Sequence, residues 1–380
     1  MNYYIIPKNN FNIFINLQLT NEKIKPYLSF SLIFYLNDIY SQLFKLKDTV
    51  NDAATLEYIN KIVNPYEFIN TNVPGTLISV SKVKPESIIF FELMEVFQLL
   101  NINDTFALKS NINIAHLTPN HTSTNDLLNM IREDKNDNIY CKDFNFTELY
   151  NIFITNNYNN KLDLIICEFE ARDYNNTKTY IKNMLLVLLL VIKYQSNQGI
   201  CIIKIDNIFY KSIIDILFIL SALYDKIYLV KPIISNVTKG ERYVICKFFN
   251  TSILEKSKLV SQINETVINT MFNTDSTNTT CVNSLINNEI PYYFLNKIEE
   301  SNAVIGQQQL ESYDQIINIY KNKNRDEKME NLKKNHIQKC IQWCEKNQLP
   351  HNKFIDKVNI FLTPKKKDMR DDVEVEGEEP

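Results

Sequence analysis

Gly199-Ile-Cys-Ile-Ile-Lys-Ile205 decides how the rest of the chain is read. Isoleucines crowd this run and nothing in it favours a turn after Gly199, so it reads as a strand buried on both faces. Lys204 is its only charge and falls near its end. Ile208 to Tyr224 follows with apolar residues at helical spacing. Lys226-Ile-Tyr-Leu-Val230 reads as a second strand, and Arg242 to Phe249 (RYVICKFF) as a third after a polar connection. Strands that alternate with helices and close in an antiparallel hairpin predict a doubly wound α/β sheet, mostly parallel, with one antiparallel edge strand.

The pattern extends upstream. Leu162 to Cys167 (LDLIIC) reads as a buried parallel strand and residues 179–195 as a long apolar helix. Asn111 to Leu117 alternates like a strand, and Ser87 to Leu100 (SIIFFELMEVFQLL) reads as a buried helix. Residues 66–72 read as a short strand running into the Val73-Pro74-Gly75 turn. Leu32 to Lys47 has the spacing of a helix, and residues 1–60 read as mainly helical after a short apolar start. Downstream, residues 255–345 read as helical and polar. The tail from Lys365 runs from KKKDMR to DDVEVEGEEP and has the composition of a disordered segment.

Composition sets limits on function. A chain of 380 residues suggests two domains, or one with large extensions. Its 41 basic and 44 acidic residues leave a net charge of −3, so any contact with nucleic acid must come from a local patch. Seven scattered cysteines, several in apolar runs, suit buried thiols in a reducing compartment. MNYYIIPKNN lacks the pattern of a secretory signal, and Met184 to Ile192 falls short of the roughly 20 residues that cross a bilayer. The expected setting is cytoplasmic, away from membranes. Only five glycines occur, so a retained one is expected to mark backbone that tolerates no Cβ.

Three segments carry chemistry. Asn72-Val-Pro-Gly-Thr76 would let backbone N–H groups approach a ligand at the carboxyl edge of the sheet. Lys204, near the end of its strand, is placed to act as a base if burial lowers its proton affinity. Lys231-Pro-Ile-Ile-Ser-Asn-Val-Thr-Lys-Gly-Glu241-Arg-Tyr243 is the most specific. It resembles the Lys-Pro, Ser-Arg, Ser, Glu, Tyr pattern of FtsJ-like methyltransferases at Lys231, Pro232, Ser235, Glu241 and Tyr243. Asn236 stands where the family has Arg, and Lys239 where it has a second Ser. The resemblance covers roughly residues 40–250. It is closest to the divergent FtsJ-like proteins of large cytoplasmic DNA viruses such as asfarvirus, with Phe361 to Lys367 (FLTPKKK) a weak further match.

The resemblance implies a Rossmann-like sheet that binds S-adenosylmethionine and methylates ribose 2′-hydroxyls of RNA, capped mRNA included, without a metal. It implies a Lys-Asp-Lys-Glu tetrad here made of Lys45, Glu168, Lys204 and Glu241. Lys45 comes from Ser41-Gln-Leu-Phe-Lys-Leu46, with Lys47 and Lys61 as rivals, and Glu168 replaces the usual Asp. Asn72, Pro74, Gly75 and Thr76 would form the cofactor loop, with its second glycine lost. Asp143, in Cys141-Lys-Asp, would receive the adenine amino group, and Glu168 would lie near the methionine end. The expected boundaries are an extension at 1–40, the methyltransferase domain at 41–250, a helical region at 251–364 and the tail at 365–380. Viral partner proteins and a place in the virion fit the same picture.

Two further features have plainer readings. His336, Cys340 and Cys344, with His351 beyond, have the residue types of a zinc site. On a straight helix, however, the first and last stand roughly 12 Å apart, and an inward-packing stripe suits them better. Lys321 to Lys339 mixes bases with acids and reads as a solvated face. The altered residues Glu168, Thr76 and Asn236 also admit a second reading, in which the fold survives as an RNA-binding or structural module without catalysis.

Overall fold

The computed structural model describes residues 3–10, 13–49, 53–133, 135–155, 161–251, 261–263, 265, 281–322 and 325–354. The charged tail and Phe361 to Lys367 lie outside the described residues, as does most of 251–280.

Nine strands are described: β1 (Tyr3–Ile6), β2 (Ile15–Thr20), β3 (Asn113–Leu117), β4 (Asn138–Lys142), β5 (Leu162–Cys167), β6 (Gln195–Ile205), β7 (Tyr224–Val230), β8 (Arg242–Phe249) and β9 (Cys281–Ile286). The helices are α1 (Phe30–Thr49), α2 (Ala53–Val63), α3 (Ile89–Leu99), α4 (Ile102–Phe106), α5 (His121–Ile131), α6 (Phe146–Tyr150), α7 (Ala171–Asn175), α8 (Thr177–Tyr194), α9 (Lys211–Leu223), α10 (Tyr292–Lys321) and α11 (Arg325–Lys346). No helix among the described residues is long and apolar enough to cross a membrane.

Seven strands form one sheet in the order β1-β7-β8-β6-β5-β3-β4. β4, β3, β5 and β6 run parallel; β8 is antiparallel to β6 and β7, and β1 to β7. The fold is therefore the expected α/β class, a mostly parallel sheet with an antiparallel edge and helices on both faces. The alternation of β6 shows why. Cys201, Ile203 and Ile205 join the core under α8 and α9. Ile200 and Ile202 join the opposite core, under α2, α3, α5 and α11. Lys204 follows in the second series and so shares that face. On α8, Met184 to Val191 are all buried. Each such side chain contributes about 1.5–3 kcal/mol relative to exposure, which makes this helix the anchor of its face.

From β3 the chain moves outward to β4, then crosses back past β3 to β5 and on to β6. That reversal sets a topological switch point between β3 and β5, the place where open α/β sheets bind ligands.

Two expectations need correction. Residues 66–72 form no strand. Pro65 cannot donate to a ladder, Asn64 Nδ2 bonds Glu67 Oε2 at 3.0 Å, and Glu67 to Ile69 turns as a 3₁₀ helix that buries Phe68 and Ile69. β3 and β5 pair directly, from Ile114 with Leu164 to Leu117 with Cys167, so no strand lies between them. The first residues are also more than a helical extension. β1 extends the main sheet beside β7, while β2 pairs with β9 in a separate two-stranded sheet. α10 packs on α1, α2 and β1, so both flanks of the chain are built onto the sheet.

Candidate functional site

The register of the sheet places one residue of each central strand on a single rung at the carboxyl rim. Leu117 pairs with Lys142 and Cys167, Cys167 with Ile203, and Lys204 with Tyr243. One step further, Asp143, Thr118, Glu168, Lys204 and Tyr243 therefore follow each other across the edge. Glu168 N donates to Leu117 O at 2.9 Å and Thr118 N to Lys142 O at 3.0 Å, which extends the ladder to that rung.

Lys204 stands at its centre. Its Nζ lies 3.1 Å from Glu92 Oε2, 3.1 Å from Glu168 Oε1 and 3.3 Å from Glu241 Oε2. Lys204, Glu92 and Glu168 are each less than a tenth exposed at the side chain, whereas Glu241 is 22% exposed, so the cluster meets solvent at Glu241. Tyr243 donates its hydroxyl to Glu92 Oε2 at 2.6 Å. Thr118 Oγ1 at 2.8 Å and Asn120 Nδ2 at 3.1 Å both donate to Glu168 Oε2. Lys239 Nζ lies 3.1 Å from Glu241 Oε1.

Charge and burial set the protonation states. Burial alone would lower the Lys204 pKa, but Glu92, Tyr243, Glu168 and Glu241 outweigh it and hold the ammonium well above its ordinary value. Burial likewise raises Glu92 and Glu241, but Lys204 together with Tyr243 and Ser235 at Glu92, and with Lys239 at Glu241, outweighs it and leaves each below the usual carboxylate value. Lys204 is thus a firmly held cation and not the poised base expected from its place in the strand. Three carboxylates around one ammonium leave a net negative site, suited to a cationic or hydroxyl-bearing ligand.

The loop that carries Glu241 is tied down by Lys231. Its Nζ donates to the carbonyls of Asn236, Lys239 and Glu241 at 3.2, 2.6 and 3.1 Å. Burial, then the nearby Arg242, lower its pKa to about 8. Lys231 therefore acts as a staple, and Pro232 begins the loop it closes. Asn236 Oδ1 accepts from Thr238 N and Oγ1 at 2.9 and 2.8 Å, rigidifying the same turn.

The remaining expected residues lie elsewhere. Lys45 is exposed on α1 and is not a partner of Lys204, Glu92, Glu168 or Glu241. Its rival Lys61 pairs with Glu57 on the solvent face of α2 at 2.9 Å, and the side chain of Lys47 lies outside the described residues. Asn72, Gly75 and Thr76 are exposed and Pro74 half-buried, in a loop that closes on itself. Val73 N bonds Ile78 O, and Thr76 N bonds Val73 O, both at 2.9 Å. Gly75 has φ +83°, the left-handed conformation the turn requires. This loop follows the 3₁₀ turn instead of a sheet strand, so its place relative to the rim differs from that expected. Asp143 is exposed at the end of β4, with its Oδ1 3.5 Å from His121 Nδ1. Cys340, Cys344 and His336 are buried on α11 around Trp343, and no group of three ligating side chains suited to a metal occurs among the described residues.

Glu92, Thr118 and Asn120 were not anticipated. Glu92 carried a signal: a carboxylate inside an otherwise apolar helix must find a partner when buried. Glu95, three residues on, does the same with Ile233 N at 3.1 Å.

No family model matches the sequence, and no curated protein matches it. Among solved structures, a Plasmodium falciparum protein described as a ribosomal RNA methyltransferase aligns with 40% of this chain and 95% of its own, at 14% identity and a TM-score of 0.29. A probable spermidine synthase from Corynebacterium glutamicum aligns with 61% of this chain and 85% of its own, at 8% identity and a TM-score of 0.32.

Proposed function

We propose that the chain is an S-adenosylmethionine-dependent methyltransferase that acts on ribose 2′-hydroxyls of RNA, capped mRNA included, in the manner of the FtsJ-like proteins it resembles. One observation supports this above the rest. Glu168, Lys204 and Glu241, distant in sequence and singled out by the resemblance, meet within 3.3 Å at the rim of an α/β sheet.

The fit to the cofactor divides by region. The carboxylates at the switch point suit a cationic sulfonium, and Glu168 lies at the end of β5 where such a group would sit. Asp143, on the same rung, is free of the core and open to an adenine amino group. The cofactor, when bound, supplies an electrophilic methyl group. Lys204 holds Glu92, Glu168 and Glu241 in one constellation. Glu241, the most exposed of the four, would meet the ribose. Catalysis would depend largely on holding the hydroxyl in line at near-attack distance. A viral cytoplasmic setting, with viral partner proteins, belongs to the same reading.

The clamp of Glu92 on Lys204 favours a second reading, an inactive methyltransferase fold kept as an RNA-binding or structural module. Calorimetric titration with S-adenosylmethionine, followed by methyl transfer to capped and uncapped RNA, separates the two. The enzyme reading expects binding, and transfer lost in Lys204→Ala and in the milder Glu241→Gln, each checked for folding by circular dichroism. An absence of cofactor binding would leave the module.

A further inference from the structure

A cavity of about 380 Å³ opens beside the exposed edge of the Lys204 cluster. Glu241 and Asp206 line it, with Tyr40, Tyr174 and Tyr313 around them. Tyr174 joins it to the cluster, because its hydroxyl donates to the backbone carbonyl of Lys204 at 2.9 Å. Asp206 follows the last residue of β6, two positions after Lys204, so the strand that presents the ammonium also presents this carboxylate.

Asp206 differs from the other carboxylates of the rim. Glu92, Glu168 and Glu241 each lie within 3.3 Å of the Lys204 ammonium. Among the described residues Asp206 makes no ion pair; its side chain accepts from Asn207 Nδ2 at 2.7 Å. The charged groups around it come from several elements: Glu241 and Arg242 at the start of β8, Lys231 beyond β7, and the phenols of Tyr180, Tyr40 and Tyr313 from α8, α1 and α10. The backbone makes room for it. A Cβ on Gly240 would lie 3.0 Å from Asp206 Oδ1 and 2.7 Å from Asn207 Oδ1. Gly240, on the loop that delivers Glu241, therefore lets that loop pass close over the carboxylate.

We propose that Asp206 is the proton acceptor of the reaction and that the tyrosine-lined cavity holds the nucleoside whose hydroxyl it deprotonates. The proposal rests on the methyltransferase reading given above. The ribose O–H bond breaks and its proton passes to the Asp206 carboxylate. The oxygen forms its bond to the methyl carbon, and the electron pair of the broken sulfur–methyl bond stays on sulfur. Charge balances: a carboxylate and a sulfonium become a carboxylic acid and a neutral thioether. Lys204, held as a cation, cannot take that proton, and Glu92 and Glu241 are stabilised as anions by it. Among the described residues no ammonium pairs with Asp206 at the short distances seen at the other three acids, although Arg242 and Lys231 nearby draw its pKa down in part. Burial, then the charge of Glu241, raise its pKa to about 6, near the working range of a base at neutral pH.

Two measurements test this. The first needs no cofactor: carboxyl ¹³C resonances of the whole chain, labelled at aspartate, are followed from pH 4 to pH 8. One aspartate signal is expected to titrate near pH 6, to vanish in Asp206→Asn, and to move to lower pH in Glu241→Gln. Absence of such a signal overturns the proposal. The second is the pH profile of methyl transfer. The wild type is expected to gain rate through about pH 6, whereas Asp206→Asn loses at least 100-fold in kcat and the acidic limb, with KM and calorimetric cofactor affinity nearly unchanged. Asp206→Glu should restore part of kcat. Transfer that survives unaltered in Asp206→Asn sinks the proposal and leaves the methyltransferase reading standing. Wild-type protein inert on every RNA sinks both.

Discussion

Lys204 illustrates how a buried cation can hold a site together. Taking one ammonium and two nearly buried carboxylates from water costs several kcal/mol per ion, offset only while all partners remain. Lys204→Met should therefore destabilise the chain by about 3–5 kcal/mol, since Glu92 and Glu168 would be left without their cation. Adding Glu92→Gln to that variant should recover part of the loss; urea denaturation of the single and double variants reads both effects. His116 is the opposite case, a buried group kept neutral. Burial, then the charge of His121, push its pKa down to about 3; its Nε2 has no partner, and Cys141 Sγ lies 3.8 Å from Nδ1. Between about pH 6.5 and 3 the unfolded chain binds a proton there that the folded chain refuses, so stability falls as pH drops through that window. Asp206 acts with the opposite sign: its raised pKa means that the folded chain binds the extra proton between about 6 and 3.8, which favours folding on acidification. His116→Leu is expected to flatten the loss of stability between pH 6.5 and 5, measured by urea midpoint against pH. A variant as acid-sensitive as the wild type would show that His116 does not carry it.

Among the elements, α3 links the core to the rim. Most of its residues face apolar neighbours, while Glu92 and Glu95, one turn apart, reach Lys204 and Ile233 N. α11 buttresses it: Trp343 packs edge-on against Phe91 with ring centroids 5.8 Å apart, and Cys340 and Cys344 flank it inside the core. Trp343→Ala should cost about 3–5 kcal/mol through lost packing and the cavity left behind. The same substitution should lower cofactor affinity or transfer only as far as the folded fraction falls, which a urea titration run beside the activity assay would separate. The 3₁₀ turn at Glu67 to Ile69 belongs to this same layer, packed under α11. That packing explains why an apolar run expected to enter the sheet became a turn on its face.

At the scale of the molecule, the segments expected to be extensions are structural. Arg242 is fully buried and donates to Gly240 O, Ser301 Oγ and Asn302 Oδ1 at 3.1, 3.1 and 2.9 Å, and burial lowers its pKa to about 10. Ser301 and Asn302 belong to α10, so a helix near the end of the chain satisfies a guanidinium at the start of β8. A chain ending at residue 250 should therefore lose cooperative unfolding, because Arg242 would lose Ser301 and Asn302 and α1 and α2 would be uncovered; circular dichroism melts and proton NMR dispersion report it. The sequence alone determined the alternation of strand and helix from Leu162 to Phe249. Most residues of β5, α9 and β8 and of the second half of β6 are buried, so there the local pattern is also the tertiary role. The sequence also placed Lys204 near the carboxyl end of its strand, and the resemblance to the FtsJ-like pattern pointed to Glu168 and Glu241 beside it. Tertiary structure alone decided that Glu92 joins them, that 66–72 stays out of the sheet, and that Lys204 is locked as a cation. These outcomes depend on which helix face meets which strand and on the summed charge around one nitrogen, and neither quantity exists until distant segments have packed together.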